Sequence, residues 1–531
     1  MQNINNYLIK NIKIAQFLIL FIFTLTGFSV TKDYGISYDE LEYRYQGFIV
    51  LNSIGEKLFP EKAKKIIEKR DISYPKIDEY MGESPNNFKI QHTFYSLLEY
   101  VFFEDSKKDE VFYFRHYINF LISLISLFVF YKTLRINFDR TISTLGGIAF
   151  ILSPRIFADF FYSPNDMWSL FFLICCLYCI FNFLNKKKIK YFYFLPIFLC
   201  LAINVRYINV YIYPIFIFFF ILNNKINISL INKIVKQIVL LAFFLFIITP
   251  EMWYDPKGLI LNMFGQLKWT YPTEIMFNGQ LILSSEIPWY YLLIWILISS
   301  PLVYILYSLL GIFLLIFTIQ KNKYSKRDIL KFQNSIIMFL FLLIPITAVI
   351  IFKPDLFNGW RHFYFLNIPI IYFTCFFLSE ISKVSLIYFK KLFFITLIFN
   401  FFLLANWMYK NHPYQNIFFN KISKKYAYDF ELDYWGLSNL EAIRYLLTIE
   451  NGAFQVSNFD DESRADFALQ MLGESRKKIT FAKTNDLSSK YFISHKNKGF
   501  SGDMYSNKGF KVIKTIKVDN IEINRILVRD N

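Results

Sequence analysis

The chain has 531 residues, of which 55% are hydrophobic, 21% aromatic and only 19% charged. This composition excludes an ordinary soluble enzyme, a disordered chain, a collagen and a secreted disulfide scaffold. The net charge of +17 would raise the question of nucleic acid in a soluble protein. Here the basic residues gather in short loops between apolar runs, the positive-inside pattern of membrane proteins, so we expect no nucleic-acid partner.

Apolar runs of bilayer-spanning length recur along most of the chain. The first resembles a signal peptide, but it is long and no small-residue cleavage site follows, so we expect an uncleaved span. The pattern predicts a polytopic α-helical membrane protein with about eleven spans. These are 12–30, 112–133, 140–158, 166–184, 190–204, 206–222, 234–250, 289–319, 334–352, 362–379 and 391–408.

The stretch 190–222 decides the orientation, because as one helix it is too long for a single crossing and barely long enough for two. A break at 204–206 places the downstream basic clusters on the same side as the cluster at 186–190. We therefore predict a multi-pass protein of a bacterial cytoplasmic membrane, with a cytoplasmic N-terminus and an extracytoplasmic C-terminal domain.

Two domains are predicted, a membrane domain at 1–409 and an extracytoplasmic domain at 410–531. The first outer loop, 31–111, contains at 56–70 the alternation of an interfacial helix. In the second domain, Ser438 to Ile449 has the pattern of a helix with a serine N-cap. Strand-like runs follow, which predicts a small α/β or α+β fold. They lie at 454–459, 478–482, 491–494 and 510–528.

The strongest candidate for chemistry is GISYDELEYRY, residues 35–45, a few residues after the first span. It places two adjacent carboxylates, Asp39 and Glu40, close to the bilayer surface. A carboxylate in that position can act as a general base. The competing interpretation is an ordinary solvated pair of acids in a loop.

A second candidate is SPRIFADFFYSPNDM, residues 153–167, at an outer turn between two spans. Asp166 falls in the first turn of a helix, where an acid complements the helix dipole. Ionisable groups at the rim of a membrane bundle are also candidates for function. Arg155 and Asp159 form either a simple interfacial ion pair or a support for the site.

The third candidate is the outer turn KPDLFNGWRHFYF, residues 353–365. Arg361 and His362 begin a span from its outer end, so snorkelling of the side chain explains them without function. The functional alternative is phosphate binding at headgroup level, with Arg206 at the other outer break as a second cation.

Acids to activate a hydroxyl, cations to hold a phosphate and a groove open to the membrane suit a sugar carried on a lipid phosphate. The polyprenyl tail stays in the bilayer while the phosphosugar lies at its surface. Negative charge that develops on the leaving phosphate would be stabilised by arginine or a metal, and a carboxylate would take the proton of the acceptor hydroxyl.

On these residues the chain resembles the membrane glycosyltransferases of family 39, which include protein O-mannosyltransferases and aminoarabinose transferases. The likeness covers roughly residues 10–440. It is most specific at SYDELEY, SPRIFADFFYSPND, SSEIPWYYLLIWILISSPL, GWRHFYF and ELDYWG. The resemblance implies a GT-C type fold and inverting transfer from a polyprenyl-phosphate sugar to a hydroxyl of a protein, lipid or glycan.

The resemblance also implies roles for individual residues. Asp39 would be the base, Glu40 its partner or a metal ligand, and Asp166 a second acid of the site. Arg361 and His362 match the region near the donor phosphate. Asp159 stands where bacterial relatives carry a histidine, which leaves a metal-binding role there in doubt, and a divalent metal is compatible with the sequence but not required by it.

Two other classes of protein compete with an enzyme. A transporter or flippase of lipid-linked saccharide should carry ionisable groups near the bilayer midplane on broken helices, often in two related halves. The predicted midplane regions are almost free of charge, and the halves do not repeat. A structural or assembly protein would tolerate replacement of Asp39 without loss of activity.

Overall fold

The structure, a computed structural model, describes residues 2–61, 88–103, 110–258, 261, 272–321, 325–458, 464–484, 486, 488–495 and 509–529. The predicted interfacial helix at 56–70 lies outside the described residues from position 62 onward. The described part is mostly helical, and its largest sheet lies near the C-terminus.

The α-helices are numbered here in chain order. They are α1 (Gln2–Val30), α2 (Glu40–Leu58), α3 (Ile90–Phe102), α4 (Val111–Leu134), α5 (Arg140–Ile151), α6 (Pro154–Tyr162), α7 (Pro164–Lys186), α8 (Ile189–Val205), α9 (Ile212–Leu222), α10 (Ile228–Ile248), α11 (Tyr291–Ser299), α12 (Leu302–Lys321), α13 (Lys326–Lys331), α14 (Gln333–Phe352), α15 (Asn367–Ser382), α16 (Ile387–Lys410) and α17 (Ser438–Ile449).

Eight helices of the described chain are long and apolar enough to cross a membrane. The pair α5 and α6 adds a ninth span if it crosses as one unit bent by 66°. The bend falls at Pro154, whose ring fixes its own φ and disfavours helical backbone in the residue before it. Helices α8 and α9 coincide with two further predicted runs but are shorter, and the predicted run 289–319 is divided into α11 and α12, so the number of about eleven spans stays a prediction. The multi-pass helical architecture is confirmed.

Burial distinguishes central from peripheral spans. Helix α7 is 89% buried in its most apolar window, and the span 361–382 that includes α15 is 83% buried. By contrast the corresponding windows of the first and last spans are 17% buried and that of α10 is 11% buried. A helix that exposes apolar side chains over most of its surface fits a lipid environment. Helix α7 and the span 361–382 are therefore the central spans of the bundle.

The chain breaks between α8 and α9, as the charge pattern predicts. Helix α8 ends at Val205, and Arg206 takes an extended conformation before a short 3₁₀ turn, Tyr207–Tyr211. Between α14 and α15 a second irregular segment leads into the 3₁₀ turn Arg361–Leu366. These two breaks carry polar side chains at the end of the bundle.

A β-containing C-terminal domain is confirmed. After a separate hairpin of β1 (Glu274–Phe277) and β2 (Gln280–Leu283), its strands are β3 (Phe454–Asn458), β4 (Ile479–Phe481), β5 (Tyr491–His495), β6 (Phe510–Val518) and β7 (Ile521–Arg529). They form a mixed five-stranded sheet with the order β4-β3-β5-β7-β6, in which β3 pairs parallel with β4 and β5, and β7 pairs antiparallel with β5 and β6. The predicted strand 510–528 is a hairpin of two strands.

Helix α17 has the predicted bounds but not the predicted cap. Ser438 is its first residue, and the carboxylate of Asp433 accepts hydrogen bonds from the amides of Leu437 at 3.2 Å and Ser438 at 3.0 Å. Glu441 accepts a hydrogen bond from the hydroxyl of Tyr414 at 2.7 Å instead of closing a capping box. A side chain from outside the local motif therefore satisfies the first amides of the helix.

Candidate active site

A cavity of about 440 Å³ lies where the outer turns meet. It is enclosed by the start of α2, the start of α3, the break after α8, the end of α14 and the turn before α15. Among the residues that the sequence singles out, Asp39, Arg206, Arg361 and His362 line this cavity. Four candidates from three distant stretches therefore share one space.

Asp39 lies directly before α2 with its carboxylate facing the cavity. Its Oδ2 accepts a hydrogen bond from the Tyr43 hydroxyl at 2.8 Å and one from Nη1 of Arg361 at 3.1 Å. The side chain of Asp39 is 24% exposed, whereas that of Arg361 is 5% exposed. The carboxylate is thus the accessible member of the pair and the guanidinium its buried partner.

Tyr43 stays protonated in this setting. Burial, followed by the nearby Asp39 charge, raises the pKa of Tyr43 well above its usual range. Its hydroxyl therefore donates to Asp39, and its ring packs on His92 with 4.2 Å between ring centroids. Burial lowers the pKa of His92 to about 3, so His92 is a neutral hydrogen-bonding group that pairs with Asn165.

Asp166 forms the second acid–arginine pair, with Arg206. Here the exposures are reversed, because the side chain of Asp166 is fully buried and that of Arg206 is 19% exposed. The other carboxylate oxygen of Asp166 accepts a hydrogen bond from Oγ of Ser163 at 2.7 Å. Arg206 lines the cavity, so its guanidinium presents a positive charge whose counter-ion lies behind it.

Lys89 is a cavity cation that the sequence analysis missed, because nothing local sets it apart from the other lysines of the first outer loop. The amides on both sides of it are fixed by buried side chains. The Phe88 amide donates to Oε1 of Glu251 at 2.7 Å, and the Ile90 amide donates to Oδ1 of Asn204 at 2.8 Å. This pair of bonds holds Lys89 at the cavity wall.

The charge of Lys89 is sensitive to its surroundings. Burial, followed by the nearby Arg206, lowers the pKa of Lys89 to about 7, and Glu251 opposes that change. Burial likewise raises the pKa of Glu251 to about 7. Lys89 therefore changes charge close to neutrality, well below the usual range for a lysine.

Glu40 is turned away from the cavity and is buried beneath the loop. Its Oε2 accepts hydrogen bonds from the Ser37 amide at 2.6 Å and the Ser37 hydroxyl at 3.0 Å, and Oε1 pairs with Nε2 of His116 at 2.9 Å. The two adjacent carboxylates of the motif thus have different surroundings. His116 and Ser37 are further residues that the sequence analysis did not single out.

Arg155 and Asp159 lie behind the site on α6 and do not belong to the described lining of the cavity. Arg155 donates from Nε to the Phe418 carbonyl at 3.0 Å, and its guanidinium lies about 5 Å from the ring centroids of Trp295 (5.1 Å) and Phe419 (5.0 Å). Within the described residues the two side chains form no ion pair with each other. Arg155 instead connects α6 to the segment after the last span.

The part of the chain that the structure describes has no group of three or more His, Cys, Asp or Glu side chains arranged to hold a metal ion. The charged residues of the cavity lining are three cations, Lys89, Arg206 and Arg361, and three acids, Asp39, Glu42 and Asp355. Arg206 pairs with Asp166, which lies outside this lining, so the more accessible guanidinium can also bind an anionic ligand from the cavity.

Comparison with known proteins gives one family. Residues 114–254 match the model of the dolichyl-phosphate-mannose-protein mannosyltransferases. The resemblance to membrane glycosyltransferases is confirmed. The matched stretch contains Asp166, Arg206 and Glu251, whereas Asp39 and Arg361 lie outside it. No curated protein matches the chain in sequence.

Solved structures show low similarity. ArnT from Cupriavidus metallidurans in the apo state is 10% identical with a TM-score of 0.45, over 97% of this chain and 98% of that one. The same protein bound to undecaprenyl phosphate is 9% identical with a TM-score of 0.42, over 97% of each chain. The apo oligosaccharyltransferase of Archaeoglobus fulgidus is 10% identical with a TM-score of 0.40, over 76% of this chain, which spans 61% of its length.

Proposed function

We propose that the protein is an inverting glycosyltransferase that moves a sugar from a polyprenyl-phosphate donor to a hydroxyl acceptor at the outer face of the cytoplasmic membrane. One observation carries the proposal: a single cavity is lined by the open carboxylate of Asp39 and by the cations Lys89, Arg206 and Arg361. Transfer from a lipid phosphate needs a base for the acceptor and positive charge for the leaving phosphate.

The cavity also offers an apolar wall. Ala348, Val349 and Phe352 on the last turns of α14 line it, together with Ile208 at the break after α8. Phe352 and the neighbouring Ile351 are exposed at the surface of the bundle. A lipid tail that follows this wall would place its phosphate beside Arg206 and Lys89 while the tail stays in the bilayer.

The chemistry follows from the arrangement of charges. The acceptor hydroxyl oxygen attacks the anomeric carbon of the sugar, and the bond from that carbon to the phosphate oxygen breaks. Asp39 takes the hydroxyl proton, and the phosphate leaves with the electron pair of the broken bond. A single displacement of this kind inverts the anomeric configuration. Cations fixed in a partly buried site stabilise the charge that develops on the leaving phosphate.

The two arginines have different roles in this proposal. Arg206 is the more accessible guanidinium, so it holds the phosphate, and buried Asp166 is its counter-ion rather than a proton acceptor. Arg361 is buried against Asp39 and orients that carboxylate. Lys89 supplies a further positive charge for the phosphate. Glu40 keeps the loop in place through Ser37 and His116.

The proposal extends to the orientation and domains of the chain. The N-terminus is cytoplasmic, the membrane domain occupies 1–409, and residues 410–531 lie outside. This places the cavity mouth at the surface where a translocated polyprenyl-phosphate sugar and an envelope acceptor can meet. The positions of the basic loops support the orientation.

The test compares cells that carry the native protein with cells that carry Asp39→Asn. Envelope glycans and polyprenyl-phosphate sugars are analysed in both, and the amount of protein in the membrane is measured. We expect the mutant cells to accumulate one lipid-linked sugar and to lack one sugar in an envelope glycan. Unchanged glycans at normal protein levels would contradict the proposal, and would favour a structural or assembly protein.

A further inference from the structure

The segment Glu431–Leu437, within the motif ELDYWG and its neighbour, lies between the membrane bundle and the C-terminal sheet. Its residues are almost all buried, including the carboxylates of Glu431 and Asp433. The proposed reaction uses none of these side chains directly. Their contacts nevertheless converge on the two groups that form the Asp39–Arg361 pair.

On one side the segment contacts the loop of Asp39. The Tyr38 amide donates to the Trp435 carbonyl at 3.2 Å. At Gly35 the two backbones touch, since an added Cβ would lie 2.6 Å from the Leu437 carbonyl oxygen. The residue just before Asp39 is therefore attached to the C-terminal segment through the main chain.

On the other side the segment contacts the turn of Arg361. Glu431 accepts hydrogen bonds from the amides of Asn358 at 3.2 Å and Gly359 at 3.1 Å. Both of these residues have positive φ, 59° at Asn358 and 70° at Gly359, a conformation that costs energy for asparagine and that the turn requires. A buried carboxylate on two such amides holds the turn in that conformation.

Trp435 completes the connection. The guanidinium of Arg361 lies 4.3 Å from the centroid of its ring, and Phe357 flanks the same guanidinium at 5.3 Å. A cation on a desolvated aromatic face is restrained in position as well as stabilised. Trp435 therefore fixes the plane of the Arg361 guanidinium, which donates a hydrogen bond to Asp39.

The C-terminal sheet holds the segment from behind. Asp433 caps α17 through the amides of Leu437 and Ser438, and His495 on β5 lies 3.6 Å from the Asp433 carboxylate. His495 also bonds to the Asp433 carbonyl. Strand β5 thus contacts the segment Glu431–Leu437, which in turn contacts the loop of Asp39 and the turn of Arg361.

We propose that Glu431 and Trp435 are positioning residues: they join the loop of Asp39 to the turn of Arg361 and set the distance and angle at which the guanidinium meets the base. This inference rests on the proposed function, because it takes Asp39 as the base. It also gives the C-terminal domain a role in transfer that the sequence did not assign. Neither residue is required to touch the donor or the acceptor.

The experiment is a double-mutant cycle in the full-length protein. Sugar incorporated into the envelope glycan is measured per amount of membrane protein for Trp435→Leu, Arg361→Lys and the double variant, with Trp435→Phe as the conservative variant. Trp289→Leu, at an exposed tryptophan, is the matched control. Thermal unfolding in detergent reports on folding.

We expect Trp435→Leu to lower transfer about tenfold, as loss of a desolvated cation–aromatic contact implies, and Trp435→Phe to restore most of it. In the Arg361→Lys background the same change should cost less than about threefold, because residues that act through one contact are not additive. A full tenfold loss in both backgrounds, or native transfer by Trp435→Leu, would overturn the inference.

Glu431→Gln keeps the inference testable if Trp435→Leu fails to accumulate. Glutamine has a single oxygen where the carboxylate has two, so one of the two strained amides loses its acceptor, and we expect about a three- to tenfold loss of transfer. Glu286→Gln, at an exposed acid, is its control. If Asp39→Asn retains transfer, the proposed function fails; if Asp39→Asn abolishes transfer and both Glu431→Gln and Trp435→Leu retain it, only this inference fails.

Discussion

The two acid–arginine pairs of the cavity are built in opposite senses. In the pair of Asp39 and Arg361 the acid is accessible and the arginine is buried, whereas in the pair of Asp166 and Arg206 the arginine is accessible and the acid is buried. An accessible carboxylate with a fixed partner can take a proton. An accessible guanidinium with a buried counter-ion can hold an anion. In the proposed reaction the same two residue types would serve different substrates, the carboxylate the acceptor hydroxyl and the guanidinium the donor phosphate.

The largest expected effect separates the two acids. Asp39→Asn should lower the rate of sugar transfer about 10²- to 10⁴-fold, the usual contribution of a general base, with binding of undecaprenyl phosphate nearly unchanged. Asp166→Asn should weaken binding of that lipid and lower the thermal stability, because it leaves Arg206 without its buried partner. Both variants are assayed for transfer and for lipid binding in detergent. If Asp39→Asn and Asp166→Asn lost transfer and lipid binding to the same extent, the two acids would not have different roles.

For the two arginines we expect the reverse assignment: loss of Arg206 should mainly weaken lipid binding, and loss of Arg361 should mainly lower transfer. Arg206→Ala should weaken binding of undecaprenyl phosphate about 10- to 100-fold, the value of a charge-assisted hydrogen bond in a partly buried site. Arg361→Ala should lower transfer more than it lowers binding, and Arg361→Lys should lower transfer less, because a point charge partly replaces the fork. Arg327→Ala, at an exposed arginine, is the control. If Arg361→Ala bound the lipid more weakly than Arg206→Ala, Arg361 rather than Arg206 would hold the phosphate.

The pH dependence sharpens the contrast between arginine and lysine in the same wall. Lys89 has a lowered pKa of about 7 in the free protein, so above that pH it has lost its proton and must regain it to pair with a phosphate. Binding of undecaprenyl phosphate should therefore weaken as pH rises above about 7, by up to about tenfold per pH unit. Below pH 7 this group adds no dependence.

Lys89→Arg is the matched variant for this measurement, because arginine keeps its charge throughout the range. It should flatten the alkaline limb of the binding curve. Among the described residues, the groups that share the environment of Lys89 are Arg206, Glu251, His92 and the ring of Tyr207. An alkaline limb that is identical in Lys89→Arg would assign the titration to another group.

The smallest effect on transfer is expected for the neighbour of the base. Glu40→Gln should change transfer per amount of folded protein by less than about threefold, since Glu40 faces His116 and Ser37. Its cost should appear as a lower unfolding temperature, with about 1–3 kcal/mol lost from a buried hydrogen-bonded charge. Thermal unfolding and transfer are measured on the same preparation. A loss as large as that of Asp39→Asn would make the two carboxylates equivalent.

The sequence predicts the membrane part of the fold because span length and loop charge are local properties. It also places the bounds of α17 correctly, since the apolar period of Ser438–Ile449 is regular. Its cap is wrong because Asp433 lies outside the motif that the pattern describes. The paired strands of 510–528 are merged in the prediction because the turn between them, Asp519 and Asn520, is short.

The residues of the candidate site also fall into two groups, those that a local pattern reveals and those that only long-range packing reveals. Asp39, Arg206 and Arg361 are charged residues at the ends of apolar runs, so the sequence singles them out. Lys89 and Trp435 become significant only through contacts with distant parts of the chain. No local pattern shows that Asn204 and Glu251 hold the amides beside Lys89. The orientation of each acid–arginine pair is likewise a property of packing.

The Asp39–Arg361 contact joins residues that are 322 positions apart. During synthesis at the membrane, the loop of Asp39 emerges when the first span is in place. At that point Arg361 and the segment Glu431–Leu437 have not yet been synthesised. The proposed base therefore lacks its orienting groups through most of translation. A chain that stops before residue 431 would possess the acid and the cations yet lack the segment that aligns them, so we expect sugar transfer only from chains that extend through Glu431–Leu437.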